Sequence, residues 1–138
     1  MKKLLPLLIL VIGLVAIVML FHRNGPSDKP ATVWEQKTEM VVDAVNLFEE
    51  FARDETGANE KYLNKVTEVS GVVSTVRADQ GGQSVVLRTN DPTSGVRCRL
   101  DRKPGQDGKN YEVGQTVTFK CICSGYVRDV EMVQCAER

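Results

Sequence analysis

Residues 65–76 read KVTEVSGVVSTV. Valine and threonine dominate the stretch, polar residues interleave with apolar ones, and a single glycine sits near its middle. β-branched residues in such a pattern predict a strand. A glycine inside a strand marks a bulge or a sharp bend. The stretch therefore predicts one long strand over Lys65–Val76, bent at Gly71.

The chain beyond it is punctuated at short intervals. A turn is expected at Asp79–Gln83, a second strand over Ser84–Thr89, a loop over Asn90–Gly95 and a third strand over Val96–Leu100. Residues 101–115, DRKPGQDGKNYEVGQ, are polar and broken by Pro104, Gly105, Gly108 and Gly114, which excludes a regular helix. A fourth strand over Thr116–Ile122, a turn over Cys123–Arg128 and a fifth strand over Asp129–Cys135 complete the series. Five short strands led by a long, kinked one suit a small closed barrel. The bend lets the first strand serve both halves of the sheet, and closure removes exposed edges.

Upstream, Thr32 and Glu35 have the spacing of a capping box. From Thr32 to about Glu55, Trp34, Val41, Val45, Phe48 and Ala52 recur at helical spacing, while Glu35, Glu39, Asp43 and Glu49 lie on the other side. One amphipathic helix is expected here. Its polar face is acidic, unlike that of a membrane-surface helix, so it should pack on its own domain.

The N-terminus reads MKKLLPLLILVIGLVAIVMLFHRN. The eighteen residues from Leu4 to Phe21 carry no charge. At about 1.5 Å per residue they make roughly 27 Å of helix, close to the thickness of a bilayer's hydrocarbon core. A cleaved signal peptide would have a shorter apolar region ending in a small-x-small site, and none stands at this boundary. An uncleaved anchor is expected: residues 1–23 as membrane anchor with helix 4–21, residues 24–31 as linker, and residues 32–138 as helix plus barrel. Four cysteines argue for an oxidising compartment. Residues 24–138 are thus expected outside the cytoplasm, on a single-pass membrane protein.

Charge excludes little and suggests little. The chain has 18 basic and 18 acidic residues, so no overall pull toward polyanions is expected. Residues 61–110 are locally basic, with nine basic against five acidic side chains. His22 is the one histidine and lies at the membrane edge. Asp54, Glu55 and Asp129 are the acids that attract notice, yet each has a structural reading at a helix end or tight turn. Neither a nucleophile–base pair nor a phosphate-cradling glycine loop is present, so a non-enzymatic protein without a cofactor is expected.

Several segments together resemble the tRNA-anticodon-like OB-fold family, small bacterial envelope proteins led by an apolar segment. These are DETGANEKYLNKVTEVSGVV, GVRCRL, VGQTVTFKCICSGY and DVEMVQC. The resemblance covers roughly residues 40–136. Its most specific parts are Asp54-Glu55 with Ala58-Asn59 and Tyr62, then Cys123-x-Gly125, Asp129-Val130 and Cys135. It implies an OB barrel preceded by a helix and carries no established activity. The sequence departs from the pattern at Cys121, where glycine is more usual.

In such a barrel the fifth strand lies between the third and fourth. Cys135 on the fifth strand is then within reach of Cys98 on the third or a cysteine on the fourth. Cys121 and Cys123 share a face and are poorly placed to bond each other. Cys135 is expected to be bridged, to Cys98 or Cys123. The spacing C-x22-C-x-C-x11-C lacks the knuckle of a zinc site, and a metal or redox-thiol protein is a further alternative.

These readings combine into a membrane-anchored, non-catalytic OB-fold module that binds an envelope protein, peptide or glycan. Binding is expected through Arg88, Arg97, Arg99 and Tyr111 and through the loops at 90–95 and 101–115. Single-stranded nucleic acid is the alternative ligand. OB domains that bind it combine a basic groove with aromatic platforms, and neither SVVLRTN nor GVRCRLD holds an aromatic residue.

Overall fold

The computed structural model describes residues 5–23, 31–79, 82–101 and 109–138. The chain falls into two compact units, Met1–Pro30 and Ala31–Arg138.

In the first unit, α1 spans Leu5–Arg23. Pro6 lies in its first turn, where a missing N–H costs little. Its described side chains, residues 9–20, are all exposed. Among the described residues no helix is long and apolar enough to cross a membrane. The expected spanning helix is therefore not supported at this level.

The second unit is a barrel. Its elements are β1 (Met40–Asp43), α2 (Ala44–Arg53), α3 (Glu55–Tyr62), β2 (Val66–Asp79), β3 (Gly82–Leu87), β4 (Val96–Leu100), β5 (Thr116–Tyr126) and β6 (Val130–Glu137). The sheet order is β1-β2-β3-β4-β6-β5, and β2 also pairs with β5. That last pairing closes the five strands β2–β6 into the expected OB barrel, with the final strand between the third and fourth.

The strand around Gly71 does what its glycine suggests. Residues Val66–Val72 pair with β5, and Val73–Asp79 pair with β3. β2 changes partner just past Gly71. The reason for glycine is steric: a Cβ there would lie 3.0 Å from the Ala44 Cβ and 3.2 Å from the Leu87 Cβ. The helix packs against the strand at this point, and a side chain would hold them apart.

The expected single helix over 32–55 is corrected. Thr32 and Glu35 form a local turn: the Thr32 hydroxyl donates to Glu35 Oε2 at 2.8 Å and the Glu35 amide donates to the Thr32 carbonyl at 2.9 Å. β1 follows, parallel to β2 from Met40↔Thr67 to Asp43↔Ser70. Two short helices then take the place of one. Asp43 caps α2 by accepting from the Asn46 amide at 3.0 Å, and Asp54 caps α3 by accepting from the Gly57 amide at 3.1 Å.

A main core and a smaller cluster of Val33, Val66 and Ala136 hold the unit together. Ala44, Leu47, Phe48 and Phe51 of α2 and Ala58 and Tyr62 of α3 join the inward-facing residues of the barrel. Phe51 lies against both Tyr62 and Tyr126, with ring centroids 6.0 and 5.8 Å apart. Burial tends to raise the Glu50 carboxyl, but bonds from Lys61 and Tyr62 outweigh it and hold the group below its ordinary value. The family-like residues Asp54, Ala58 and Tyr62 are thus a cap and two core contacts.

Sulfur fills much of the barrel interior. Cys98, Cys121, Cys123, Cys135 and Met132 are all fully buried. Cys135 is bridged, and its partner is Cys121; Cys98 and Cys123 are free. This corrects the expected pairing with Cys98 or Cys123. The cause is a bulge: the β5–β6 ladder shifts between Lys120↔Ala136 and Ile122↔Val133, and Gln134 takes a positive φ of 52°. The extra residue turns Cys135 back toward Cys121.

Candidate functional site

Alternation along three neighbouring strands sends one set of residues inward and the other outward. Val85, Leu87, Val96 and Cys98 are buried, so Ser84, Val86, Arg88, Arg97 and Arg99 belong to the outer face. The ladder aligns this face into rows. Arg77, Ser84 and Arg99 form one row, and Thr75, Val86 and Arg97 the next. Basic residues are thereby gathered on one side of the barrel, across β2, β3 and β4.

A groove of about 600 Å³ runs over this face. Its basic residues are Arg77, Arg88, Arg97 and Arg128, and its rim is formed by the 89–95 loop and the turn before β6. Among the described residues, no aromatic ring lines it.

Two hydrogen-bonded devices build the rim. The Thr89 hydroxyl donates to the Ser94 carbonyl at 2.7 Å, and Asp91 Oδ1 accepts from the Thr93 amide at 2.7 Å and the Thr93 hydroxyl at 2.8 Å. The Thr93 bonds hold the Asp91 carboxyl below its ordinary value. Asp129 supplies the second device. It accepts from the Gly95 amide at 2.8 Å and from Arg97 Nη2 at 2.6 Å. A carboxylate expected to serve its own turn therefore ties that turn to the opposite loop. Gly95 is required there, since a Cβ would lie 2.5 Å from the Leu87 carbonyl oxygen.

The charges divide into spent and unspent. Arg97 pairs with Asp129 and, at 3.4 Å, with Glu131. Arg77, Arg88 and Arg128 are exposed and form no ion pair among the described residues. The groove presents three uncommitted guanidinium groups, each able to grip a carboxylate or phosphate in a two-pronged way.

The residues expected at the site are only partly brought together. Arg88 and Arg97 line the groove. Arg99 lies in the adjoining row of the same face, exposed, outside the groove lining. Tyr111 is elsewhere: its ring meets Phe119 edge-on at 5.4 Å and its hydroxyl donates to Glu137 at 3.1 Å. Burial and the Glu137 charge push its phenol pKa up. Of the two expected binding loops, 90–95 lines the groove, and residues 102–108 of the other lie outside the described residues, as do residues 80 and 81 of the expected turn. Arg128 was not anticipated as a site residue.

A family model described as tRNA_anti-like matches residues 1–137. No curated protein matches the chain. Among solved structures, a protein assigned as an aspartyl-tRNA synthetase from Leishmania major Friedlin is similar with a TM-score of 0.48 at 14% sequence identity, over 89% of this chain and 25% of that one. The chain thus spans a quarter of that protein's length.

Proposed function

The chain belongs to the tRNA_anti-like family, and on that premise we propose that it is a non-catalytic binding module that holds an extended anionic ligand, an acidic peptide segment of an envelope protein, across the outer face of β2, β3 and β4. The observation that carries this reading is the set of uncommitted arginines, Arg77, Arg88 and Arg128, around a groove on the barrel wall. The rim places the polar side chains of Asn90, Thr93 and Ser94 beside these arginines.

The domain is tethered to a membrane by the uncharged run from Leu4 to Phe21 and works on the outer side. The exposed apolar side chains of residues 9–20 and the bridged Cys121–Cys135 pair support that placement.

Single-stranded nucleic acid is the second reading, favoured by the same three arginines and opposed by the absence, among the described residues, of an aromatic ring in the groove lining. Anisotropy titrations of the full chain in micelles with a labelled acidic peptide and a labelled thymidine oligonucleotide, each at two salt concentrations, separate the two. The peptide binds, and the triple substitution Arg77→Ala, Arg88→Ala, Arg128→Ala weakens it by at least about tenfold. Tighter binding of the oligonucleotide with a steep salt dependence selects the second reading. Equal binding by the triple variant removes both.

A further inference from the structure

The Cys121–Cys135 bridge has a third sulfur beside it. The Sγ atoms of Cys98, Cys121 and Cys135 all lie within 4.8 Å of one another. They come from three neighbouring strands, β4, β5 and β6, and all are fully buried. The next row adds more sulfur: Met132 is the ladder partner of both Cys98 and Cys123. We propose that reduction of the Cys121–Cys135 bridge converts this cluster into a binding site for one copper(I) ion, held by the Cys121 and Cys135 thiolates with the Cys98 sulfur as third donor.

Donor type selects the ion. Three sulfurs with neither imidazole nor carboxylate in the cluster suit a soft cation and offer nothing to magnesium or calcium. Zinc in a closed site takes four ligands in a tetrahedron, and the cluster among the described residues holds three. Metal–sulfur bonds of about 2.3 Å in a plane place three sulfurs roughly 4 Å apart; the three sulfurs lie within 4.8 Å of one another, and Cys121 and Cys135 must move apart to that separation once the bridge opens.

Protons and electrons balance as follows. A dithiol reductant gives two electrons and two protons to the bridge, leaving two thiols and becoming a disulfide itself. Copper(I) then displaces the protons of Cys121, Cys135 and Cys98 to solvent and is held by three thiolates. Entry has a weak point at the bulge next to Cys135, where the β5–β6 ladder is interrupted.

The full chain in micelles, oxidised or reduced by a dithiol that is then removed under anaerobic conditions, is titrated with copper(I) against a chromogenic copper(I) chelator. The reduced chain takes one equivalent, the oxidised chain takes none in competition, and Cys98→Ser weakens the reduced chain's affinity by at least about tenfold. X-ray absorption of the loaded chain reads sulfur donors only. Equal uptake by oxidised and reduced chains, equal affinity in Cys98→Ser, or loss of the native circular-dichroism spectrum on reduction each overturns the proposal. Groove binding of the acidic peptide is measured on the oxidised chain, so the two readings fail separately.

Discussion

Asp129 Oδ1 accepts the Gly95 amide at 2.8 Å while its Oδ2 holds Arg97 at 2.6 Å, from a side chain that is almost wholly buried. One carboxylate fixes the spacing between the 89–95 loop and the turn before β6. Asp129→Ala leaves a buried N–H without its acceptor and is expected to cost about 1–3 kcal/mol in urea denaturation. Asp129→Asn keeps an acceptor oxygen for Gly95 and is expected to lose less. Equal stability of all three chains would mean that the loop is held by other contacts.

Gly95 should tolerate no side chain. A methyl group there meets a backbone carbonyl, which cannot rotate away as a flexible side chain would. Gly95→Ala is expected to destabilise the domain by about 1–3 kcal/mol. It is also expected to weaken peptide binding, because the groove rim shifts; thermal melts and anisotropy read the two effects.

The Cys121–Cys135 bridge closes a loop with a sequence separation of 14. Loop-closure entropy assigns such a crosslink about 3 kcal/mol. Cys121→Ser with Cys135→Ser should lower the denaturation midpoint accordingly, whereas Cys123→Ala, which breaks no bridge, should cost only its small cavity.

Acid should act through Glu68. The Thr38 hydroxyl, donating at 2.6 Å, lowers its carboxyl pKa; burial works in the opposite direction, and the Arg138 guanidinium lowers it again, for a net depression. The unfolded chain binds this proton near pH 4.5. The folded chain binds it only at lower pH, so the stabilisation is complete above that value and disappears as pH falls through the folded value. Glu68→Gln is expected to be less stable than the parent at pH 7 and to show a shallower loss of stability below about pH 4.5. Parallel pH profiles for the two chains would refute this.

Strands were more legible than helices, for physical reasons. β2, β3 and β5 are rich in β-branched residues, β4 and β6 alternate, and Gly71 marks the bend because helix and sheet meet there. β1 was hidden because four residues are too few to separate period 2 from period 3.6. Met40 and Val42 pack on the core while Val41 is 76% exposed, and the same residues also fit a helical stripe. Parallel pairing with β2 decided the matter, and that contact is remote in sequence. The partner of Cys135 was illegible because a single bulged residue, Gln134, resets the register. Arg88 and Arg97 were legible from alternation on known strands. Arg128 and the clamp by Asp129 became visible only when the last turn was seen beside the 89–95 loop.

β6 follows β5 in sequence yet sits between β4 and β5. During synthesis, both neighbours therefore emerge from the ribosome with an open edge and stay so until Val130–Glu137 follows. Hairpins of β2 with β3 and of β3 with β4 form early, but the wall that joins them to β5 cannot be completed while those residues remain in the exit tunnel. A nascent chain of this design needs protection from edge-to-edge association until β6 arrives.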